Sequence, residues 1–106
     1  MAKSANKNFE KAPDTLTMKA IQVFYEGHVQ GVGFRWMVKN IAHGYEISGW
    51  VRNLEDGRVE LQVSAEEEEE LEAFLTAIQK SALAGNIRKT MRRPLCQTFK
   101  GFEIHF

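Results

Sequence analysis

The sequence predicts an α+β fold: a two-layer sandwich with an antiparallel sheet, two helices on one of its faces and a short C-terminal strand. Three observations point there. Apolar residues recur at strand period in five short stretches and at helical period in two, in the order β-α-β-β-α-β with a last strand behind them. An Asp56-Gly57 pair, the signal of a tight hairpin, stands between the second and third strands. The 106 residues, 43% hydrophobic and 26% charged, suffice for one small domain and are too few for two.

The elements follow in order. Residues 1–17 are polar and lack periodicity, so a flexible N-terminal arm is expected there, with the folded domain over 18–106 and order beginning near Met18. Ile21, Val23 and Tyr25 alternate with Gln22, Phe24 and Glu26, a strand with apolar residues on both faces and hence a central one. Residues 27–33 carry Gly27, Gly31 and Gly33, too many glycines for strand or helix. Phe34, Met37, Val38 and Ile41 then recur at helical spacing, and Gly44 suits the residue beyond a helix end. Ile47, Gly49, Val51 and Asn53 share one parity in a second strand, and Val59, Leu61 and Val63 mark a third. Ser64 and Glu67 read as a capping box, which predicts a second helix from near Ala65 with Leu71, Phe74, Leu75 and Ile78 as its apolar stripe. Glu66 to Glu70 then fall in its first turns, where the helix dipole favours negative charge. A weaker strand spans about 86–93, with Lys89 out of keeping between Ile87 and Met91, and the last spans 101–106. This order is the split-βαβ, or ferredoxin-like, pattern.

Composition narrows the function. Lys+Arg and Asp+Glu both number 14, so no chain-wide polyanion-binding surface is expected. The basic cluster Arg88, Lys89, Arg92 and Arg93 reads as a solvated strand face. One cysteine, Cys96, allows no internal disulfide. No stretch approaches the roughly 18 apolar residues of a membrane span, and the N-terminus lacks an apolar signal core. A cytoplasmic protein is expected, without membrane or nucleic-acid partners. His28, His43 and His105 have no ligand-like spacing with one another or with Cys96, so no metal site is expected.

The glycine loop is the informative segment. A strand–loop–helix turn aims backbone N–H groups at one point, the helix dipole adds positive potential, and a phosphate-sized anion suits such a place. Gly33 is followed by Phe34 and Arg35 instead of Lys and Ser/Thr, which rejects a Walker loop. Trp36 occupies the last glycine position of a dinucleotide fingerprint, and Phe102 the place of the arginine in a cysteine-phosphatase loop. Arg35, just inside the helix, offers a planar cation that grips two oxygens at once; it also fits an ordinary surface ion pair. Asn53 ends an inward-looking row, where its amide needs a partner and where capping the turn is the simple alternative.

Residues 27–35, Gly-His-Val-Gln-Gly-Val-Gly-Phe-Arg, resemble the signature loop of the acylphosphatases. Residues 49–57, Gly-Trp-Val-Arg-Asn-Leu-Glu-Asp-Gly, resemble that family's second signature, and Gly101-Phe102-Glu103-Ile104 its closing strand. The departures, at His28, Gly33, Trp36 and Leu54, remove no functional group. The resemblance implies a ferredoxin-like fold and hydrolysis of a carboxyl–phosphate anhydride. It implies that Arg35 binds the phosphoryl oxygens with loop groups from His28, Val29, Gln30, Gly31 and Val32, and that Asn53 orients the attacking water. It implies an acyl phosphate as substrate, inorganic phosphate as product and competitive inhibitor, and neither metal nor cofactor. A monomer is expected. Two alternatives stand beside this. One is a non-catalytic ferredoxin-like module binding RNA or protein through aromatics such as Trp50 and Tyr25. The other is the related domain at the front of hydrogenase-maturation carbamoyltransferases, which the absence of further domains after Phe106 argues against.

Overall fold

A computed structural model of the chain describes residues 19–106, so the arm expected over residues 1–17 lies outside the described residues. Strand β1 (Lys19–Gly27) buries Val23 and Tyr25 and leaves Gln22, Phe24 and Glu26 half-buried on its other side. Helix α1 (Phe34–Ala42) buries Phe34, Val38 and Ala42. Strands β2 (Ser48–Asn53) and β3 (Val59–Ala65) form the hairpin around Asp56-Gly57. Helix α2 (Glu68–Gln79) buries Leu71, Phe74, Leu75 and Ile78. A 3-10 turn (Ala84–Asn86) leads into β4 (Ile87–Pro94), and β5 (Phe102–His105) follows.

The sheet order is β4-β1-β3-β2-β5. β1 runs antiparallel to both β3 and β4, and β2 antiparallel to β3, so the four-stranded part is the expected ferredoxin-like sheet. β5 adds a fifth strand parallel to β2, with Gly49 opposite Phe102 and Arg52 opposite His105, which makes the whole sheet mixed. Val23, Tyr25, Val51, Val59, Leu61 and Val63 meet the apolar stripes of α1 and α2 in a single core. Tyr25 and Phe34 pack edge to face at 5.2 Å, tying β1 to α1. A side chain buried as fully as Phe74 contributes about 2–3 kcal/mol, and truncating it to alanine costs about 3–5 kcal/mol.

Two expectations are corrected. α2 starts at Glu68, not near Ala65, and Ser64 does not cap it: the N-cap is Glu67 and makes no side-chain cap bond. Ser64 is held in β3 because it pairs with Ala20 on one side and Ser48 on the other, and its buried hydroxyl accepts the Phe99 N–H at 3.2 Å. Sheet pairing on both flanks overrides the local capping signal. Glu68, Glu69 and Glu70 still occupy the first helical turn. Tyr25 is the second correction. It is 1% exposed, facing the helices, and offers no ring to a partner. Burial also pushes its phenol well above the ordinary range, against a smaller opposing effect of the Arg92 charge.

The irregular alternation of β4 has a physical cause. The pairing of β1 with β4 shifts register between Glu26 and Gly27, where Arg88 is the extra residue of a bulge. Beyond it Lys89, Met91 and Arg93 stand opposite Glu26, Phe24 and Gln22 on the outer face. Thr90 and Arg92 turn inward, reaching Gln79 and Glu72 of α2 at 3.3 and 3.0 Å. Gly27 permits the bulge: its φ is +138°, and a Cβ there would collide with the Asn86 carbonyl oxygen and the Arg88 nitrogen. β4 is also a sheet edge, and its four cations discourage pairing with other chains.

Glu60 anchors the outer face. It is 3% exposed, and its carboxylate accepts from Gln22 Nε2 at 2.6 Å, Gln62 Nε2 at 2.9 Å and Arg52 Nε at 2.9 Å. Burial pushes its carboxyl up, but these three bonds and the Arg52 charge together outweigh that, so it titrates below the ordinary carboxylate range. Trp50 lies beside this network with His105 stacked on it at 4.8 Å and the Arg52 guanidinium 5.2 Å from its centroid.

Candidate active site

The loop from β1 to α1 is built to expose amides. Val29 is 1% exposed and pegs the loop into the core, while Gly31 and Gly33 turn the backbone through φ of +77° and +86°. Those left-handed values favour glycine. The His28 N–H donates to the Asn86 carbonyl at 2.9 Å, and Asn86 Nδ2 returns a 2.9 Å bond to the His28 carbonyl. His28 thus has its own amide engaged and its imidazole exposed at the edge of the loop. Among the described residues, no backbone carbonyl takes the N–H groups of Val29, Gln30, Gly31 or Val32.

Helix α1 continues this array. Its N-cap is Gly33, left-handed and without a side-chain cap bond, and its first turn carries no acidic residue. The first helical N–H groups and the positive end of the dipole are therefore left without a carboxylate of the helix's own first turn.

Arg35 stands in that first turn. It is half-buried, its Nη1 donates to the His105 carbonyl at 3.0 Å, and its guanidinium lies 4.8 Å from the Phe106 ring centroid. A guanidinium held this way keeps further N–H groups for a bidentate grip on an oxyanion. His105 pairs with Arg52, the neighbour of Asn53, so β5 brings Arg35 to the end of β2 where Asn53 sits.

Asn53 shares the inward parity of Gly49 and Val51 and is half-buried. Its Oδ1 is buried, and among the described residues it has no hydrogen-bond partner. The turn after it is held by other groups: Leu54 N–H to the Arg58 carbonyl at 2.8 Å, Gly57 N–H to the Leu54 carbonyl at 3.2 Å, and Arg58 N–H to Asp56 Oδ1 at 3.0 Å. The Arg58 backbone bond, foremost, and the Arg58 side chain hold Asp56 below the ordinary carboxylate range. An Asn whose carbonyl oxygen is buried, unpartnered and not used by the turn is equipped to accept a hydrogen bond from a water or a ligand.

Three contacts escaped the sequence reading, which has Gln30 only among the phosphate-binding loop groups. Gln30 Nε2 donates to the Leu54 carbonyl at 2.7 Å and the Arg58 carbonyl at 2.9 Å, joining the loop to the hairpin. Asn86 braces the loop from the other flank, and the His105 carbonyl anchors Arg35. All three act on or through backbone carbonyls, which every residue type supplies, so side-chain pattern carries no signal for the partners.

A groove of about 520 Å³ lies at the opposite end of β2, lined by Tyr45, Glu46, Ser64, Glu67, Glu70 and Phe99 among others. Its glutamates disfavour an anion there. Among the described residues no three of His, Cys, Asp and Glu gather as metal ligands, and no helix is long and apolar enough to cross a membrane.

Residues 21–104 match the family model described as Acylphosphatase. A protein from Listeria monocytogenes named acylphosphatase is 52% identical over 59 residues, 56% of this chain and 62% of that protein, so the chain spans under two thirds of that relative's length. An acylphosphatase from Archaeoglobus fulgidus is 32% identical over 90 residues, 84% of this chain and 100% of its own length. The crystal structure of acylphosphatase from Bacillus subtilis superposes with a TM-score of 0.75 at 28% identity, over 83% of this chain and 99% of that one. A match across nearly all the described residues, a relative covered end to end and a solved structure of the same architecture agree: the chain belongs to the acylphosphatase family.

Proposed function

We propose that the protein hydrolyses acyl phosphates, cleaving the carboxyl–phosphate anhydride to a carboxylate and inorganic phosphate. The observation that carries this reading is that Asn53 Oδ1 is buried without a partner among the described residues, next to Leu54, whose carbonyl the loop's Gln30 holds, while Arg35, just past the loop, is anchored to the strand that pairs with Asn53's neighbour. The names of the relatives support it.

The loop amides of Val29–Val32 and the Arg35 fork hold the phosphoryl oxygens. Asn53 Oδ1 accepts one hydrogen of a water and aims its lone pair at phosphorus. As the water oxygen bonds to phosphorus, the bond to the acyl oxygen breaks and its electron pair leaves with the carboxylate. Both water protons remain with the phosphate group, to be shared with solvent. The leaving carboxylate has a conjugate-acid pKa of about 4, so it departs without a proton and the site needs no general acid. The transition state of phosphoryl transfer is loose, so positioning and charge stabilisation supply most of the catalysis. The enzyme acts in the cytoplasm, a reading in keeping with a single cysteine, Cys96, that is free and exposed, and it acts as a monomer.

The test is phosphate release from acetyl phosphate and benzoyl phosphate, with p-nitrophenyl phosphate as the monoester control. Turnover of the acyl phosphates alone, competitively inhibited by inorganic phosphate, is expected. No turnover, or equal turnover of the monoester, rejects the proposal.

A further inference from the structure

Gln30 lies in the phosphate loop, yet its carboxamide turns away to the β2–β3 hairpin. Its two N–H donors reach the carbonyls of Leu54 at 2.7 Å and Arg58 at 2.9 Å. Both acceptors are carbonyls, so only the NH₂ end of the amide fits there, and the orientation follows from the chemistry. Leu54 and Arg58 are the two residues whose own backbone bond, at 2.8 Å, closes the base of the turn. The clamp thus holds both legs of the hairpin, where a single bond would let it pivot. Leu54 directly follows Asn53. The second brace on the loop, from Asn86, reaches the chain beyond α2 and does not touch this hairpin.

We infer that Gln30 is a positioning residue: it fixes the distance between the loop amides and Asn53, and so the distance between phosphorus and the attacking water. This rests on the proposed hydrolysis. The loop holds one reactant and the hairpin the other, and Gln30 is the side chain that joins the two supports. In-line attack needs the reacting atoms about 3–3.5 Å apart, and a misplacement of about 1 Å costs roughly 100-fold. Phosphate binding depends on the loop and Arg35 alone, so releasing the clamp harms turnover and spares affinity.

The experiment uses Gln30→Met, which keeps length and loses both donors, in wild-type and Asn53→Ala backgrounds. Expected are a kcat lower by about 10- to 100-fold and an inhibition constant for inorganic phosphate within about 3-fold of wild type. In the Asn53→Ala background the same change is expected to have almost no further effect on kcat, because the group it positions is gone. A second readout needs no turnover. Phosphate added to ¹⁵N-labelled wild type is expected to shift the backbone amides of 29–32 and the side-chain amide of Asn53. In Gln30→Met only the first set moves. Equal losses in both backgrounds, an unchanged kcat, or phosphate affinity falling with turnover overturns the inference. Wild type without acyl phosphate turnover rejects the hydrolysis instead, and the inference then stands or falls on whether the Asn53 shift disappears in Gln30→Met. Should Gln30→Met not fold, Gln30→Leu is read in the same way, and loss of folding in both assigns the residue to stability alone and overturns the positioning role.

Discussion

The guanidinium of Arg35 and the backbone carbonyl of His105 are joined by a 3.0 Å hydrogen bond across 70 residues of chain. One N–H of the fork is thereby fixed, and the plane of the group with it. Lysine at this position keeps the charge and loses the plane. Arg35→Lys is expected to lower kcat/KM by at least about 100-fold, with weaker phosphate inhibition as well, since the contact exists before and during the reaction. The loss of one hydrogen bond should cost only about 1 kcal/mol in denaturant unfolding. Near-normal kinetics in the folded variant would remove Arg35 from the site.

Asn53 separates catalysis from stability. Its Oδ1 makes no bond within the described residues, so Asn53→Ala forfeits none and is expected to unfold within about 1 kcal/mol of wild type. Its kcat should fall by about 100-fold while phosphate inhibition persists. Asn53→Asp, with nearly the same shape, sets a negative charge near an anionic phosphoryl group and should impair phosphate inhibition more than alanine does. Full kcat in Asn53→Ala would return the residue to a structural part.

Gly27 tests the bulge that leads into the loop. Gly27→Ala combines a φ of +138° with a collision against the Asn86 carbonyl and the Arg88 nitrogen. A loss of about 3 kcal/mol, or a Tm lower by roughly 10–20 °C, is expected from calorimetry. Because Asn86 also braces His28, activity should fall below what the folded fraction accounts for. A variant as stable as wild type would show that the backbone here relaxes freely.

Glu60 sets a pH dependence of stability. A carboxyl held below its ordinary value stabilises the fold above the unfolded pKa, and that contribution is lost as pH falls through the folded one. The ordinary value is 4.5, so the contribution is complete at pH 7 and fades below about that point. Glu60→Gln is expected to cost about 2 kcal/mol at pH 7, through weaker bonds from Gln22, Gln62 and Arg52, with the gap to wild type narrowing below pH 4.5. Urea titrations of both proteins between pH 3 and 7 give the two curves, and a constant gap contradicts the ionised network.

Much of this was legible in the chain because one sheet face is buried. Val59, Leu61 and Val63 alternate with residues of the other face, and the same parity placed Asn53 inward. The glycines and Arg35 were legible because special backbone angles and a permanent cation need particular residue types. Other features were hidden for equally physical reasons. Ser64 carried a helix-start signal that two neighbouring strands overruled. Lys89 looked misplaced until a one-residue bulge shifted its parity. The pairing of β5 beside β2 and the anchor for Arg35 depend on chain segments far apart, and no local pattern records them.

The strand order also has a meaning in time. Because β5 lies beside β2, the carbonyl that anchors Arg35 arrives only through a pairing between distant parts of the chain. Such closures are slow relative to helix and hairpin formation, since ordering is needed before the contact repays it. A refolding chain therefore regains its circular dichroism first and its grip on phosphate afterwards or together with it, never before. A partly assembled chain that lacks β5 keeps the other four strands of the sheet and is without the carbonyl that anchors Arg35.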